Sequence, residues 1–215
     1  MPELWPLLRQ VVIVAVPLLL ALTLHEAAHA YAADRLGDPT PRRAGRLTLN
    51  PLAHLDAVGT LVFVLTRMIG WAKPVPVNPS YFRRPRQGML WVALAGPAAN
   101  LVLAGAFALA YHLLASAVGA GVRLGLPVDV WLFLVSVARA GVIVNLGLAL
   151  FNLMPIPPLD GSRILAGVLP GGAAAAVYRL ERYGMVLLLL VVFSGALDRT
   201  LYPALRVAAR AFLGG

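Results

Sequence analysis

The sequence predicts an all-α polytopic membrane protein with about four spanning helices, a re-entrant or short hydrophobic segment, and a small β-like hairpin near the candidate site. Three observations predict this. Of 215 residues, 60% are hydrophobic and 13% charged, whereas soluble domains run at roughly 45–50% and 25%; mean hydropathy is +0.81. Four apolar runs reach the ~20 residues that a bilayer crossing needs. The 18 Lys and Arg residues, set against 9 Asp and Glu, gather between these runs. That clustering is the positive-inside pattern of membrane helices, and no nucleic-acid partner is expected from the net charge of +9.

The first run covers residues 7–36. It resembles a signal anchor, but no small-residue cleavage site precedes residue 25, and removal would discard most of the helix. Residues 55–70 form a shorter run containing Arg67. Arg35, Arg42, Arg43 and Arg46 precede it, and Lys73, Arg83, Arg84 and Arg86 follow it. Both flanks are basic, so both are expected on the cytoplasmic side, which makes the run re-entrant. Trp71-Ala-Lys-Pro-Val-Pro-Val-Asn-Pro79 is too proline-rich for a helix and reads as an extended edge. Arg46-Leu-Thr-Leu-Asn50 alternates and is expected to pair with it as the hairpin. Such an edge must be shielded by protein or line a cavity, and a substrate can add to it as a strand.

Three further spans are expected over residues 87–118, 130–154 and 177–197. Residues 119–129 read as an outer loop and Pro170-Gly171-Gly172 as a turn. Residues 198–215, with Arg199, Arg206 and Arg210 among apolar neighbours, read as an amphipathic interfacial helix. There are no repeats. One membrane-embedded domain over residues 1–215 is expected, with the re-entrant and extended part at about 46–82.

The chemistry concentrates in His25-Glu26-Ala27-Ala28-His29, directly after an apolar stretch from Val11 to Leu24. Ionisable groups at membrane depth are costly and mark function by default. On a helix, HExxH sets two imidazoles on one face, an arrangement that suits Zn2+. With no cysteine in the chain, any zinc must be held by His and carboxylate. A hydrolytic site needs a third protein ligand, and the candidates are His54, Asp56, His112, Asp160 and a few loop acids. Asp160 is favoured, because it follows a span that stops at Pro155 and sits in a Pro/Gly-constrained turn. With 55–70 re-entrant, the first and third spans bring the histidines and Asp160 to the same membrane face.

In these features the chain resembles the short members, without a PDZ domain, of the site-2 protease family (M50 intramembrane zinc metalloproteases). The resemblance rests on the HExxH in a membrane helix and on Asn152-Leu-Met-Pro155 followed by Leu159-Asp160-Gly161. Gly96-Pro97-Ala-Ala-Asn100, Leu49-Asn-Pro-Leu-Ala-His54-Leu-Asp56 and Gly70-Trp-Ala-Lys-Pro-Val-Pro-Val-Asn78 extend it. Ala57 departs from the pattern, since the subgroup often has proline there.

The resemblance implies that His25, His29 and Asp160 hold one Zn2+ per chain and that Glu26 is the catalytic base. Substrates would be transmembrane proteins or peptides in the bilayer. The expected location is the inner (plasma) membrane of a bacterial cell, with the site towards the cytoplasm. Asn152 either stabilises the oxyanion and scissile strand or makes an interhelical hydrogen bond. Gly96 and Asn100, with Ala95 and Ala99, have the small-residue spacing of close helix packing. His54 and Asp56 fit either partners that orient a ligand histidine or residues of a rim loop. His112 is read as interfacial. The rival readings are a membrane metal-binding or transport protein and an inactive protease-like scaffold.

Overall fold

The computed structural model describes residues 4–66, 70–121 and 127–215; Arg67 and part of the outer loop lie outside them. The described residues form helices α1 (Leu4–Arg35), α2 (Thr40–Arg43), α3 (Ala57–Thr66), α4 (Pro85–Gly119), α5 (Val128–Asn152), α6 (Asp160–Val168), α7 (Gly171–Glu181), α8 (Gly184–Phe193) and α9 (Ala196–Leu213). Three are long and apolar enough to cross a membrane, at Leu8–Arg35, Pro85–Gly119 and Val128–Asn152, with a fourth crossing if α8 and α9 act as one broken span.

Two expectations are corrected. The run 177–197 is not one helix. It is divided among α7, α8 and α9, with breaks before Gly184 and at Ser194 and Gly195. The first break follows the charged Arg179, Glu181 and Arg182, whereas the second falls in an apolar stretch that hydropathy does not divide. A Cβ at Gly184 would stand 3.0 Å from the Pro157–Pro158 backbone, and Gly195 takes a left-handed φ of 71°, which disfavours other residues. The β-like hairpin is also absent: no strand forms among the described residues, and 46–50 does not pair with 71–79. A single antiparallel bridge joins Leu55 to Ala72, supported by Lys73 N donating to His54 O at 2.9 Å. Pro74, Pro76 and Pro79 lack the donors that would extend it into a ladder. α3 has 10 residues, about half the length a crossing requires.

The chain divides into two compact units, and the division falls within α1 and α4. One comprises residues 1–21, 100–151 and 195–215. Its core is Ala104, Ala108, Val142 and Leu146, against which α9 lays Leu205, Ala208, Ala209, Phe212 and Leu213. Arg199, Arg206 and Arg210 are exposed, so α9 is amphipathic as its sequence suggests. Helices α4 and α5 approach closely because Gly141 has no Cβ; one would lie 2.4 Å from the Phe107 ring. Between them Asn100 and Asn145, both fully buried, satisfy one another. The Asn100 amide donates to Asn145 Oδ1 at 3.1 Å and to Ala21 O at 3.2 Å, and Asn145 Nδ2 donates to Gly141 O at 2.9 Å.

The other unit comprises residues 22–99 and 152–194. Ala33, Phe82, Met89 and Val92 form its apolar cluster. Its irregular segments are tied by buried polar groups. Asp38, 0% exposed, accepts from Thr40 N at 2.9 Å and from Asn78 N at 2.6 Å, and Arg46 donates to Ala53 O and Lys73 O.

Asn100→Ala is expected to lower stability by about 1 kcal/mol, since it leaves apolar-buried acceptors without a donor. Adding Asn145→Ala should cost less than the sum of the two single changes. Unfolding of the purified variants in mixed micelles checks both.

Candidate metal centre

Two residues four apart on α1 share a face, and in this helix they are His25 and His29, 6% and 8% exposed. Asp160, the first residue of α6, comes to the same point. His25 Nε2 and His29 Nε2 are 3.0 Å apart, and each lies 3.2–3.3 Å from Asp160 Oδ2. Although Oδ2 is this close to both rings, it makes no properly directed hydrogen bond. Three potential ligand atoms therefore converge on one volume. A tetrahedral ion bonded at ~2.0–2.1 Å separates its ligand atoms by about 3.3 Å, which is close to the spacing found. The donor set, two imidazoles and a carboxylate with no thiolate, fits Zn2+. Among the described residues these three are the group placed to hold a metal. Burial pushes the Asp160 carboxyl up, but the two imidazoles outweigh it and hold it well below the usual carboxylate range.

Neighbouring backbone sets this geometry. His29 Nδ1 lies 2.7 Å from Val92 O, and a carbonyl only accepts, so Nδ1 carries the proton and Nε2 keeps its lone pair for a metal. One turn further along α4, Gly96 makes room for the rings. A Cβ there would stand 2.4 Å from His29 Nε2 and 2.6 Å from His25 Cε1. Asp160 is seated in a similar way. Ile156 N donates to Met154 O and Leu159 N to Ile156 O, folding the chain tightly after α5. Gly161 then packs on that turn, and a Cβ would come within 2.3 Å of the Leu153 and Met154 carbonyl oxygens.

The model of peptidase family M50 matches residues 13–192. The chain belongs to peptidase family M50. It is 38% identical over 203 residues to the "Putative zinc metalloprotease YwhC" of Bacillus subtilis, covering 92% of this chain and 88% of that one. The "Putative zinc metalloprotease Rip2" of Mycolicibacterium smegmatis is 31% identical over 190 residues, 84% of this chain and 66% of the relative. The "Putative zinc metalloprotease Rip3" of Mycobacterium tuberculosis is 35% identical over 185 residues but is covered only to 38%. No solved structure gives a significant match. Family and apolar helices together make this M50 protein an integral membrane protein.

The other singled-out residues fall outside the converging group. Glu26 follows His25 and is half-buried. Asn152 ends α5, half-buried. His54 is 1% exposed, and its Nε2 lies 2.9 Å from Thr48 O. Asp56 Oδ1 accepts from Gly59 N at 2.7 Å, at the start of α3. His54 and Asp56 thus engage their own loop. His112 Nε2 lies 2.9 Å from Phe212 O. Sequence reasoning missed the Val92 carbonyl, which no side-chain pattern announces. It took Gly96 as helix packing near the site and did not see that the glycine makes room for the two rings.

Gly96→Ala is expected to weaken zinc binding by roughly 10–100-fold while leaving the membrane helices folded. Metal content after dialysis against graded chelator, read beside circular dichroism, checks this. Gly161→Ala should act in the same direction, through Asp160.

Proposed function

We propose that this M50 protein is an intramembrane zinc endopeptidase that hydrolyses peptide bonds of membrane proteins. The observation that carries the proposal is the convergence of His25, His29 and Asp160 with Glu26 next to one of them on the same helix. Bound by the three, Zn2+ supplies a Lewis acid for a peptide carbonyl and lowers the pKa of water to about 7. Glu26 takes the proton from the attacking water and passes it to the departing amine, a task for a carboxylate within one residue of a ligand. Asn152, which ends α5 just before the turn that leads to Asp160, offers an amide N–H to the scissile strand or to the oxygen that becomes negative.

The charges are consistent with a low-dielectric surround, because Zn2+ with ionised Asp160 and Glu26 is formally neutral. Room for a substrate segment lies in the same unit. A cavity of about 610 Å3 is bordered by Val75 and Val77 of the extended segment, Arg163 of α6 and Tyr178 of α7. Val75 and Val77 leave their main chain unpaired among the described residues, so an extended peptide has backbone groups to meet. A substrate helix must unwind to present its carbonyl, which favours substrates with helix-weakening residues. The basic segments flanking α3 support a site on the cytoplasmic side, and the bacterial relatives support an inner-membrane location.

The test is cleavage of single-span reporter proteins by the purified chain in detergent, read by mass spectrometry. Glu26→Gln should keep zinc and lose about 10²–10⁴-fold in rate. Asp160→Ala should lose both zinc and activity, and a zinc chelator should stop the unaltered enzyme reversibly. Cleavage that survives Glu26→Gln, or wild-type protein that retains zinc yet cuts none of the reporters, overturns the proposal.

A further inference from the structure

The cavity of about 610 Å3 beside the extended segment carries one charge that no described carboxylate balances. Its wall is apolar at Val75, Val77 and Met89, and its charged members are Arg86, Arg163 and Glu181. Arg163 spends its Nε–H and an Nη2–H on Glu181 Oε1, at 3.1 and 2.6 Å, so that pair is neutral. Arg86 is placed differently. Its Nε–H is shared between the Ala166 and Gly167 carbonyls, at 3.1 and 2.9 Å, which are among the last acceptors of α6. A helix C-terminus is a favourable seat for a cation, but this contact uses only one of the five guanidinium donors. The terminal nitrogens of Arg86 have no partner among the described residues. A guanidinium fixed at its stem and free at its end is the fork that a carboxylate meets with two parallel hydrogen bonds.

The cavity also lies within reach of the metal centre. Arg86 stands six residues before Val92 on α4, whose carbonyl meets His29, and Arg163 stands one turn after Asp160 on α6. Six residues of helix rise about 9 Å, which an extended chain covers in about three residues. We propose that Arg86 is a specificity-determining residue: it binds the carboxylate of an Asp or Glu side chain in an otherwise apolar, extended substrate segment, about three residues from the scissile bond. An intact polypeptide runs on through the site, so the group it offers is a side chain and not a chain end. A basic residue at that place in the substrate meets Arg86 as a like charge and is rejected. The word substrate rests on the endopeptidase reading; the carboxylate site itself does not.

The probes are a short apolar peptide with one central Asp, an amidated C-terminus and a neutral fluorophore on its N-terminus, and its Asn twin. Binding to the full zinc-loaded chain, carrying Glu26→Gln so that nothing is cut, is read by fluorescence anisotropy in a zwitterionic detergent. The Asp peptide should bind about tenfold tighter than its twin. With Arg86→Gln added the two should bind alike, since that change keeps an N–H for the α6 carbonyls and removes the charge. Equal binding with Arg86 present, or a preference that survives Arg86→Gln, overturns the proposal. An Asn peptide with a free C-terminal carboxylate should gain nothing from its chain end; if it alone is preferred, a terminus is what binds and the proposal fails. Should Arg86→Gln not fold, Ala175→Glu serves instead. Ala175 borders the cavity and is exposed on α7, so a fixed carboxylate there should erase the preference for Asp, whereas Ala175→Gln should keep it. A preference indifferent to Ala175→Glu overturns the proposal. No arm reads cleavage. An Arg86-dependent preference in a chain that cuts no reporter keeps the site and discards the endopeptidase reading, and equal binding of the twins by an active protease does the reverse.

Discussion

Two imidazoles can be buried in an apolar helix pair only if the facing backbone comes close enough to accept a proton and still leaves room for the rings. In this chain α4 meets both demands within one turn. The Val92 carbonyl accepts a hydrogen bond from the Nδ1–H of His29, and Gly96 withdraws the side chain that would fill the ring space. Closeness without the glycine would expel the rings, and the glycine without closeness would leave Nδ1 unpaired in a medium that charges heavily for it. The tautomer, the facing nitrogens and the gap towards Asp160 all depend on this contact.

The remaining polar groups of the same unit follow a related logic. Asp38 and Arg46, each almost wholly buried, are spent on main-chain groups of irregular segments that have no ladder of their own. In a membrane protein non-helical backbone needs such protein partners, because lipid offers none. The proline-rich stretch from Trp71 to Pro79 therefore stays extended without becoming a strand: its prolines remove donors, and Asp38 and His54 supply partners at Asn78 and Lys73.

Much of this was legible in the residues. The three long helices follow from apolar runs, and the converging group follows from HExxH together with an aspartate placed in a Pro/Gly turn. The rest was hidden for physical reasons. The run at 177–197 is apolar from Met185 to Phe193 and carries Arg179, Glu181 and Arg182 near its start; its second break is a left-handed turn at Gly195, which does not change hydropathy. Alternation at 46–50 resembled a strand, although Arg46 turns inward to serve other segments. In a cluster with Arg42 and Arg43 it looked like one more cytoplasmic flank charge, since sequence does not distinguish a solvated arginine from a sequestered one.

The seat of Asp160 has a consequence for how such a chain diverges. Gly161 rests on the carbonyl oxygens of Leu153 and Met154, so the carboxylate is located largely by main-chain atoms that every residue type possesses. Drift among the aliphatic side chains nearby can therefore proceed without retuning the centre. Lineages built on this scaffold are free to acquire new targets while the hydrolytic apparatus stays as it was.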